Sequence, residues 1–593
     1  MAISAIIFAL LGMLYIMSFE IALQGLYLPS ALLLSAIIIL SEFIPILPHL
    51  ELSNLSSPKL AVVFGLLGIP VLIIFDFNFY LTMGYIGLLL VLFIIHMDNV
   101  FISLSMICFI IFYACIRKFG GNYFYHGPGD LLVHIYIIKE FLSQSAVSVN
   151  HTYQSFPGYH LIIAIISDVA GVKPYVGLII VSVVVALSLV LISFKASELL
   201  TGSKRLSLAA AALFSTSWIS LLFSTYFIPQ SLAVFLFLTL LLCFMLNYQE
   251  NTQRYTTISI LIICSMSVIH HLTFVLVMSI SLAYLIGEFL FDFNNHNFKF
   301  QNIGILPLLL ILIPLSHWIF NSNIIQLLGV NFLALSSTTL DMFFGSSGGE
   351  VAGTIYLGNR SNTGGIPGLV TIYKIHYTLF LSLVFAGLLI SLSKNYSKGI
   401  ISAVIIGIPI VFPTPIGLSP RFGYPWIYLM AMIAAIPLEM NERFSKRSIV
   451  VLIIVGLTVI SGAAASADDI NILDPSPQEK VTISQNEYQQ LHRTSVYLDK
   501  YNRKSILSPR ITGKLFGTYF STDNVYNNLT ATERGFRNNG QRIIYRESWT
   551  NHSISPILGK GRDPSYVMTT EWLTNEVTRM NQIYSSGSVG VVY

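Results

Sequence analysis

A carboxylate and an imidazole lie one helical turn apart in the segment GPGDLLVHIYIIKE, residues Gly127 to Glu140. Asp130 opens a helical pattern directly after a Gly-Pro-Gly breaker, so its carboxylate can cap the free N–H groups of the first turn. His134 follows on the same face of the predicted helix. Capping does not explain His134, whereas an Asp-His pair can bind a divalent metal or orient a proton transfer. We therefore interpret both as candidate catalytic residues, and predict that Lys139 and Glu140 form a solvated end of the helix.

Histidine and arginine recur in three further motifs. His160 lies in SFPGYHLIIAIISDVAGV, whose apolar centre is too short to cross a membrane and predicts a re-entrant or interfacial helix. His270 and His271 are adjacent: they are either polar turn residues or paired ligands for phosphate, a metal or a sugar hydroxyl. Arg421 follows Pro420 at the start of a predicted helix. Its guanidinium can hold a phosphate through two hydrogen bonds, or it can simply extend to the bilayer surface.

A long Gly/Ser-rich loop, DMFFGSSGGEVAGTIYLGNRSNTGGIPG, is typical of a mobile flap over a site. Its charged residues Asp341, Glu350 and Arg360 are weaker candidates. Together with His160, the candidates for substrate binding are Tyr226 in STYFIPQ, Glu350 and Arg360.

The elements that position these residues are membrane helices by composition. Of 593 residues, 54% are hydrophobic and only 10% are charged, which excludes an ordinary soluble protein. Apolar runs of about 17 to 25 residues recur as far as Ala465 and predict about fifteen crossings. The predicted spans are 3–22, 27–48, 59–77, 79–96, 98–117, 173–193, 207–224, 228–247, 255–270, 272–290, 303–321, 369–392, 398–412, 423–438 and 448–465.

The orientation follows from five short loops that carry Lys or Arg and are therefore predicted to be cytoplasmic. We expect an integral plasma membrane protein with a cytoplasmic N-terminus and an extracellular C-terminal domain. The candidate residues, His270 and His271 at a hairpin tip among them, then share the outer face.

From Ser466 to Tyr593 the apolar runs end, which predicts one soluble α/β domain. NEYQQLHRTSVYLDKYN has helical spacing, and QRIIYRES, SYVMTT and SVGVVY read as short strands. The near-neutral charge gives no indication of nucleic-acid binding. We thus predict an N-terminal transmembrane module (1–117), a transmembrane catalytic domain with outer loops (118–465) and an extracytoplasmic domain (466–593).

The order of these motifs resembles prokaryotic, especially archaeal, membrane glycosyltransferases of the GT-C superfamily. The resemblance rests on PGD…H in an outer helix, then FPGYH, HHLT and RFGYPWIYLMAMIAA, and on a closing hairpin-like NQIYSSGSVGVVY. It implies a polyprenyl-phosphate-linked sugar donor, a glycan or protein acceptor, and an outer acidic residue that acts as base or as ligand of a divalent metal such as Mg²⁺ or Mn²⁺. Asp130 matches the acidic residue. Arg421 fits the donor-phosphate contact, and His270 and His271 are further candidates for that phosphate.

Two departures from the superfamily pattern stand out. The acidic loop usually follows the first helix, whereas about five predicted helices precede it here. Leucine follows Asp130 where a second acid is usual, which leaves His134 or Glu140 as the substitute.

Three other functions share part of this pattern. A polymerase or ligase of lipid-linked glycans would need nearly every feature. A transporter or flippase would line a central pathway with charges, which are scarce in the predicted spans. A scaffold for the outer domain would not need the polar cluster.

Overall fold

The computed structural model describes a part of the chain that is mostly helical. The described residues are 62, 65–67, 85, 88–89, 92–93, 96–120, 124–125, 130–144, 155–250, 252–294, 305–321, 354–357, 367–394, 398–411, 419–439, 482–501, 505–520, 522, 524–526, 529–532, 535–537, 541–546, 565–568, 570–580, 582–586 and 589–592. The first four predicted spans and the last one lie wholly or largely outside this set.

The helices of the first part follow the apolar runs of the sequence. They are α1 Val100–Gly120, α2 Asp130–Gln144, α3 Gly158–Val169, α4 Pro174–Thr201, α5 Lys204–Thr216, α6 Trp218–Thr225, α7 Pro229–Glu250, α8 Gln253–Ser267, α9 His271–Asn294, α10 Leu306–Asn321, α11 Pro367–Lys394, α12 Lys398–Val411 and α13 Ser419–Ala435, which continues as a 3₁₀ turn, Ile436–Glu439.

Helix α13 forms the centre of the bundle, and its side chains from Tyr424 to Ile436 are buried. A helix that is apolar on all sides is expected in such a position. Trp426 Nε1 donates to the carbonyl of Ala403 in α12 at 3.2 Å. Helix α11 approaches so closely that a Cβ on Gly387 would meet the Ile433 carbonyl. The backbones of α11 and α13 thus lie in close contact, in addition to the packing of their side chains.

The single span predicted at 207–224 is wrong, because the chain breaks there into α5 and α6. Ser217 is extended, with φ −61° and ψ 142°, and its hydroxyl accepts a hydrogen bond from the Ser220 N–H at 3.3 Å. A serine hydroxyl offers the backbone this alternative to a continuous helix. The other predicted spans from 98 to 438 correspond to α1, α4 and α7 to α13.

Within the described ranges, α4 and α7 are long and apolar enough to cross a membrane, and several shorter apolar helices accompany them. Many exposed side chains on α3 and α4 are apolar, including Ile165, Val169 and Val184, which are 59%, 83% and 59% exposed. The charged Asp168 and Lys195 are exposed as well. An apolar surface of this kind suits contact with lipid. The predicted number of about fifteen crossings stays a prediction.

The remaining elements mix strand and helix. They are β1 Phe124–Tyr125, β2 Thr354–Leu357, β3 Thr482–Ile483, α14 Gln485–Tyr501, β4 Ile506–Leu507, α15 Arg510–Gly513, a π-helix Lys514–Tyr519, β5 Val525–Tyr526, β6 Thr530–Thr532, β7 Gly535–Arg537, β8 Arg542–Arg546, β9 Ser565–Met568, α16 Thr570–Arg579, β10 Gln582–Ser585 and β11 Val589–Val592.

A mixed sheet organises the C-terminal residues, with strand order β10-β11-β8-β4-β5. Strands β10, β11 and β8 are antiparallel, whereas β4 runs parallel to both β8 and β5. The helix and the three strands predicted from sequence are confirmed as α14, β8, β9 and β11. The hairpin expected of the last residues is confirmed as β10–β11.

Two strand pairs join the helical part to the C-terminal residues. Strand β1 pairs with β3 in antiparallel register, and β2 pairs with β9 in parallel register. The chain before α2 and the loop after α10 therefore each contribute a strand that pairs with a C-terminal strand, while the predicted membrane face of these segments stays a prediction.

Candidate functional site

Asp130 is the first residue of α2, and its carboxylate contacts two partners from distant parts of the chain. Lys514 Nζ donates to Oδ1 at 3.0 Å, and the Tyr226 hydroxyl donates to Oδ2 at 3.2 Å. The side chain of Asp130 is 32% exposed, while that of Lys514 is 8% exposed. A charge-assisted bond to an ammonium orients the carboxylate. Asp130 is therefore held from two sides and remains partly exposed.

Tyr226 directly follows α6 and is 3% exposed. The end of α6 is fixed by its neighbours, because Ser182 of α4 donates to the Ser224 carbonyl and Cys115 Sγ of α1 lies 3.8 Å from the same oxygen. The predicted substrate-binding residue Tyr226 thus belongs to the Asp130 site. Its position is set by the helical bundle.

Lys514 is a site residue that the sequence reasoning missed. It opens the π-helix, and Leu515 and Phe516 behind it are 1% and 0% exposed. The only local signal is a lysine placed directly before an apolar pair in KLFGTY, within an otherwise polar region. A lysine that is buried in this way is rarely without a charged partner.

Lys139 forms a second contact between α2 and the π-helix. Its Nζ lies 3.8 Å from the centroid of the Tyr519 ring. Burial lowers the pKa of the Lys139 ammonium, and the negative face of the ring offers the charged form a partner. The prediction that Lys139 lies at a solvated end of α2 is therefore wrong for this residue.

His134 lies one turn along α2 from Asp130, as predicted, but pairs with another imidazole. Its Nδ1 is 3.1 Å from Nε2 of His160, and the two residues are 1% and 0% exposed. One nitrogen of this pair must carry the hydrogen and the other must accept it. The Tyr159 ring packs edge-on against both rings, and its hydroxyl donates to the Phe227 carbonyl at 2.6 Å. The complete burial of His160 does not suit the predicted direct contact with substrate.

The His270-His271 hairpin tip is confirmed, because α8 ends at Ser267 and α9 begins at His271. His270 Nδ1 accepts from the Thr273 N–H at 3.2 Å and lies 2.7 Å from its hydroxyl, which caps α9. The His271 ring packs on Phe156, with centroids 5.2 Å apart. These contacts match the turn role that the sequence left open. Phosphate binding by the two histidines stays a prediction.

Gly158 allows α3 to dock against this tip. Its N–H donates to the Val268 carbonyl at 3.0 Å. A Cβ at this position would lie 2.9 Å from Ile269 Cγ1 and 3.1 Å from the same carbonyl. The glycine of FPGYH is therefore required by close packing and fixes the start of the helix that carries His160.

The backbone of Arg421 lies in the first turn of α13, as its predicted place at a helix start requires. One turn further, the Tyr424 ring stacks on Phe223 of α6 with centroids 4.7 Å apart. Since α6 leads directly to Tyr226, the start of α13 lies at the same end of the bundle as Asp130. Glu350, Arg360 and Asp341 lie outside the described residues, although β2 between Glu350 and Arg360 is tied to β9.

The surroundings of Asp130 do not fit the predicted divalent metal. An ammonium occupies one carboxylate oxygen and a hydroxyl the other. Nδ1 of His134, the proposed second ligand, is directed at His160. Among the residues that the structure describes, no three His, Cys, Asp or Glu side chains are grouped to hold a metal.

Comparison with known proteins relates the fold to solved structures. No family model matches the sequence, and no curated protein is significantly similar to it. The crystal structure of the Archaeoglobus fulgidus oligosaccharyltransferase in its apo form superposes with a TM-score of 0.51 at 12% identity, over 75% of this chain and 69% of that chain. The chain has the GT-C fold of membrane glycosyltransferases.

Two other GT-C structures were also matched. ArnT from Cupriavidus metallidurans, solved with undecaprenyl phosphate, has a TM-score of 0.45 at 8% identity, over 82% of this chain and 96% of that chain. Arabinofuranosyltransferase AftD from Mycobacteria has a TM-score of 0.41 at 14% identity, over 68% and 30%. The fold predicted from the motifs is confirmed by the superposition with the Archaeoglobus fulgidus structure, and these two matches add nothing to that conclusion.

Proposed function

We propose that this chain is an inverting membrane glycosyltransferase that moves a sugar from a polyprenyl-phosphate-linked donor to a hydroxyl group of a glycan or protein. The observation that carries the proposal is the position of Asp130: a partly exposed carboxylate, oriented by Lys514 and Tyr226, at one end of a GT-C bundle. The outer membrane face, with the C-terminal residues outside the cell, is part of the proposal.

The reaction follows from the groups at this position. An acceptor O–H attacks the anomeric carbon of the donor, and the bond between that carbon and the phosphate oxygen breaks. The acceptor proton passes to the carboxylate of Asp130, and the polyprenyl phosphate leaves with the electron pair of the broken bond. A side chain that accepts the proton in this way contributes about 10²- to 10⁴-fold to the rate.

The leaving phosphate needs positive charge. Arg421, at the start of α13 and at the same end of the bundle, is the proposed guanidinium for this role, because its planar fork fits two phosphate oxygens. His270 and His271 are second candidates, and Glu350 and Arg360 are proposed to bind substrate. The exposed apolar faces of α3 and α4 suit the polyprenyl chain within the lipid.

The test is transfer from a labelled polyprenyl-phosphate sugar by the full chain in proteoliposomes. Asp130→Asn keeps the shape and loses the charge, so turnover should fall by roughly 10² or more. Asp168→Asn, the same loss of charge at an exposed position near the end of α3, is the matched control and should retain turnover. Near-normal turnover of Asp130→Asn would contradict the mechanism and favour a transporter or a scaffold.

Arg421→Lys distinguishes the phosphate role from a packing role. Lysine keeps the charge but loses the two-pronged geometry, so the KM for the donor should rise while kcat changes less. A lipid-linked glycan polymerase or ligase would pass the same tests. It would be recognised by a product that extends a lipid-linked glycan or transfers it whole.

A further inference from the structure

The partner of the Asp130 carboxylate is a lysine from the far end of the chain. Lys514 Nζ donates to Oδ1 at 3.0 Å from the interior of the C-terminal region, while Asp130 remains partly exposed. The ammonium is anchored by the buried residues that follow it in the π-helix. It is therefore a fixed charge rather than a mobile surface lysine.

The Lys514 ammonium occupies the space beside Oδ1 of Asp130 that a divalent ion would need. Mg²⁺ and Ca²⁺ bind carboxylate oxygens at about 2.0 to 2.6 Å, so an ion on Oδ1 would lie within roughly 6 Å of Nζ. Two positive charges so close, one of them partly buried, repel each other strongly. A hard ion also needs several oxygen ligands, and among the residues that the structure describes no three His, Cys, Asp or Glu side chains are grouped to hold one.

We propose that Lys514 takes the place of a divalent cation at Asp130. It is a positioning residue that holds the carboxylate directed at the acceptor hydroxyl, and glycosyl transfer by this chain needs no divalent metal. The inference rests on the proposed function for its catalytic part. The claim that Asp130 binds no divalent metal depends only on the geometry of its own site.

The first test therefore does not depend on turnover. Mn²⁺ binding to the full chain in detergent is followed by electron paramagnetic resonance for the wild type and for Asp130→Asn. We expect equal binding by the two proteins. A Mn²⁺ site that is present in the wild type and lost in Asp130→Asn overturns the inference, even if no transfer is detected with any donor.

The second test measures transfer in proteoliposomes after treatment with EDTA. The wild-type rate should stay within about twofold of its value in Mg²⁺ or Mn²⁺. A loss in EDTA that Mg²⁺ or Mn²⁺ restores overturns the inference while leaving the proposed glycosyltransferase function intact. Absence of transfer under every condition would instead contradict the proposed function, and the binding test would still decide the metal question.

The third test concerns the lysine. Lys514→Met should lower kcat by roughly tenfold or more with little change in the KM for the donor, because the base is still present but no longer oriented. Lys514→Arg should recover most of the rate. Lys500→Met, at an exposed position on α14, is the control for loss of a lysine in the same region. Wild-type turnover by Lys514→Met overturns the proposal.

Discussion

Lys139 Nζ lies 3.8 Å from the centroid of the Tyr519 ring, about 14 Å along α2 from Asp130. The π-helix therefore contacts α2 at two separate points, through Lys514 at its first residue and Tyr519 at its last. A single contact would allow the C-terminal region to pivot about Asp130. Two contacts fix the direction of the π-helix along α2.

Lys139→Met should loosen this attachment. Loss of a partly desolvated cation over an aromatic ring is expected to cost about 0.5 to 2 kcal/mol. Hydrogen exchange in Lys514–Tyr519 should become faster, while exchange in the central helix α13 should not change. Lys139→Arg keeps the cation and serves as the control. Unchanged exchange in Lys139→Met would mean that the Asp130 contact alone holds the π-helix.

Tyr226→Phe should weaken catalysis without disturbing the bundle. The hydroxyl donates to Asp130 Oδ2, and a hydrogen bond to a charged group is worth about 1.5 to 3 kcal/mol, so kcat/KM should fall by roughly 10- to 100-fold. In the Asp130→Asn background the same change should have little further effect. Tyr526→Phe, at a position 50% exposed, should be neutral. Full additivity with Asp130→Asn would show that Tyr226 acts elsewhere.

Gly158→Ala should destabilise the corner between α3 and the His270-His271 tip. The added methyl would press on the Ile269 side chain and the Val268 carbonyl, and overpacking of this kind costs about 1 to 3 kcal/mol. Thermal unfolding in detergent is the measurement. Gly517→Ala is the matched control, since its nearest neighbour would be 3.7 Å away. Equal melting temperatures for the two variants would contradict the packing account.

The His134–His160 pair should appear as coupling between two substitutions. His134→Ala and His160→Ala are expected to be non-additive in stability by about 0.5 to 3 kcal/mol, because either change removes the shared hydrogen bond. His492→Ala, at an exposed position on α14, should combine additively with His134→Ala. Additive effects of the first two substitutions would show that the pair contributes little. His134 would then be available for a role at Asp130.

A buried ion pair supports the C-terminal region. Arg546 of β8 and Glu487 of α14 are 3% and 7% exposed and form a hydrogen-bonded salt bridge. Arg546→Met leaves the carboxylate buried and unpaired and should cost about 3 to 5 kcal/mol, whereas the double variant Glu487→Leu, Arg546→Met should recover most of it. Denaturant unfolding measures both. Arg579→Met breaks a pair in which Arg579 is 70% exposed and should change stability by less than about 0.5 kcal/mol.

Local patterns predicted the elements that depend on local chemistry. The Gly-Pro-Gly breaker before Asp130 and the FPG before Tyr159 mark the starts of α2 and α3, and the polar pair after α8 marks a hairpin tip. The last residues formed the expected hairpin, which the alternating Val589 and Val591 after a Ser-Gly pair indicated. In each case the signal and the structure lie within a few residues of each other.

The residues that contact Asp130 and His134 could not be predicted from local sequence patterns. Asp130 and Lys514 are 384 residues apart in sequence, and each sits in a segment with its own local explanation, as a helix cap and as a surface lysine. The shared helical face predicts that His134 acts together with Asp130. Tertiary packing instead brings α3 against α2, so that His134 contacts the imidazole of His160. The sequence around Lys139 predicts a solvated lysine, because no local pattern indicates that the Tyr519 ring packs against it.

The distance along the chain between Asp130 and Lys514 also sets a delay during biosynthesis. At about 5 to 20 residues per second, the ribosome needs roughly 20 to 80 s to make the intervening segment. During that interval α2 has been synthesised, but the Lys514 ammonium that contacts Asp130 has not. A nascent chain that stops before Lys514 therefore carries the acidic residue without its orienting partner, and the site is completed only after Lys514 has been produced.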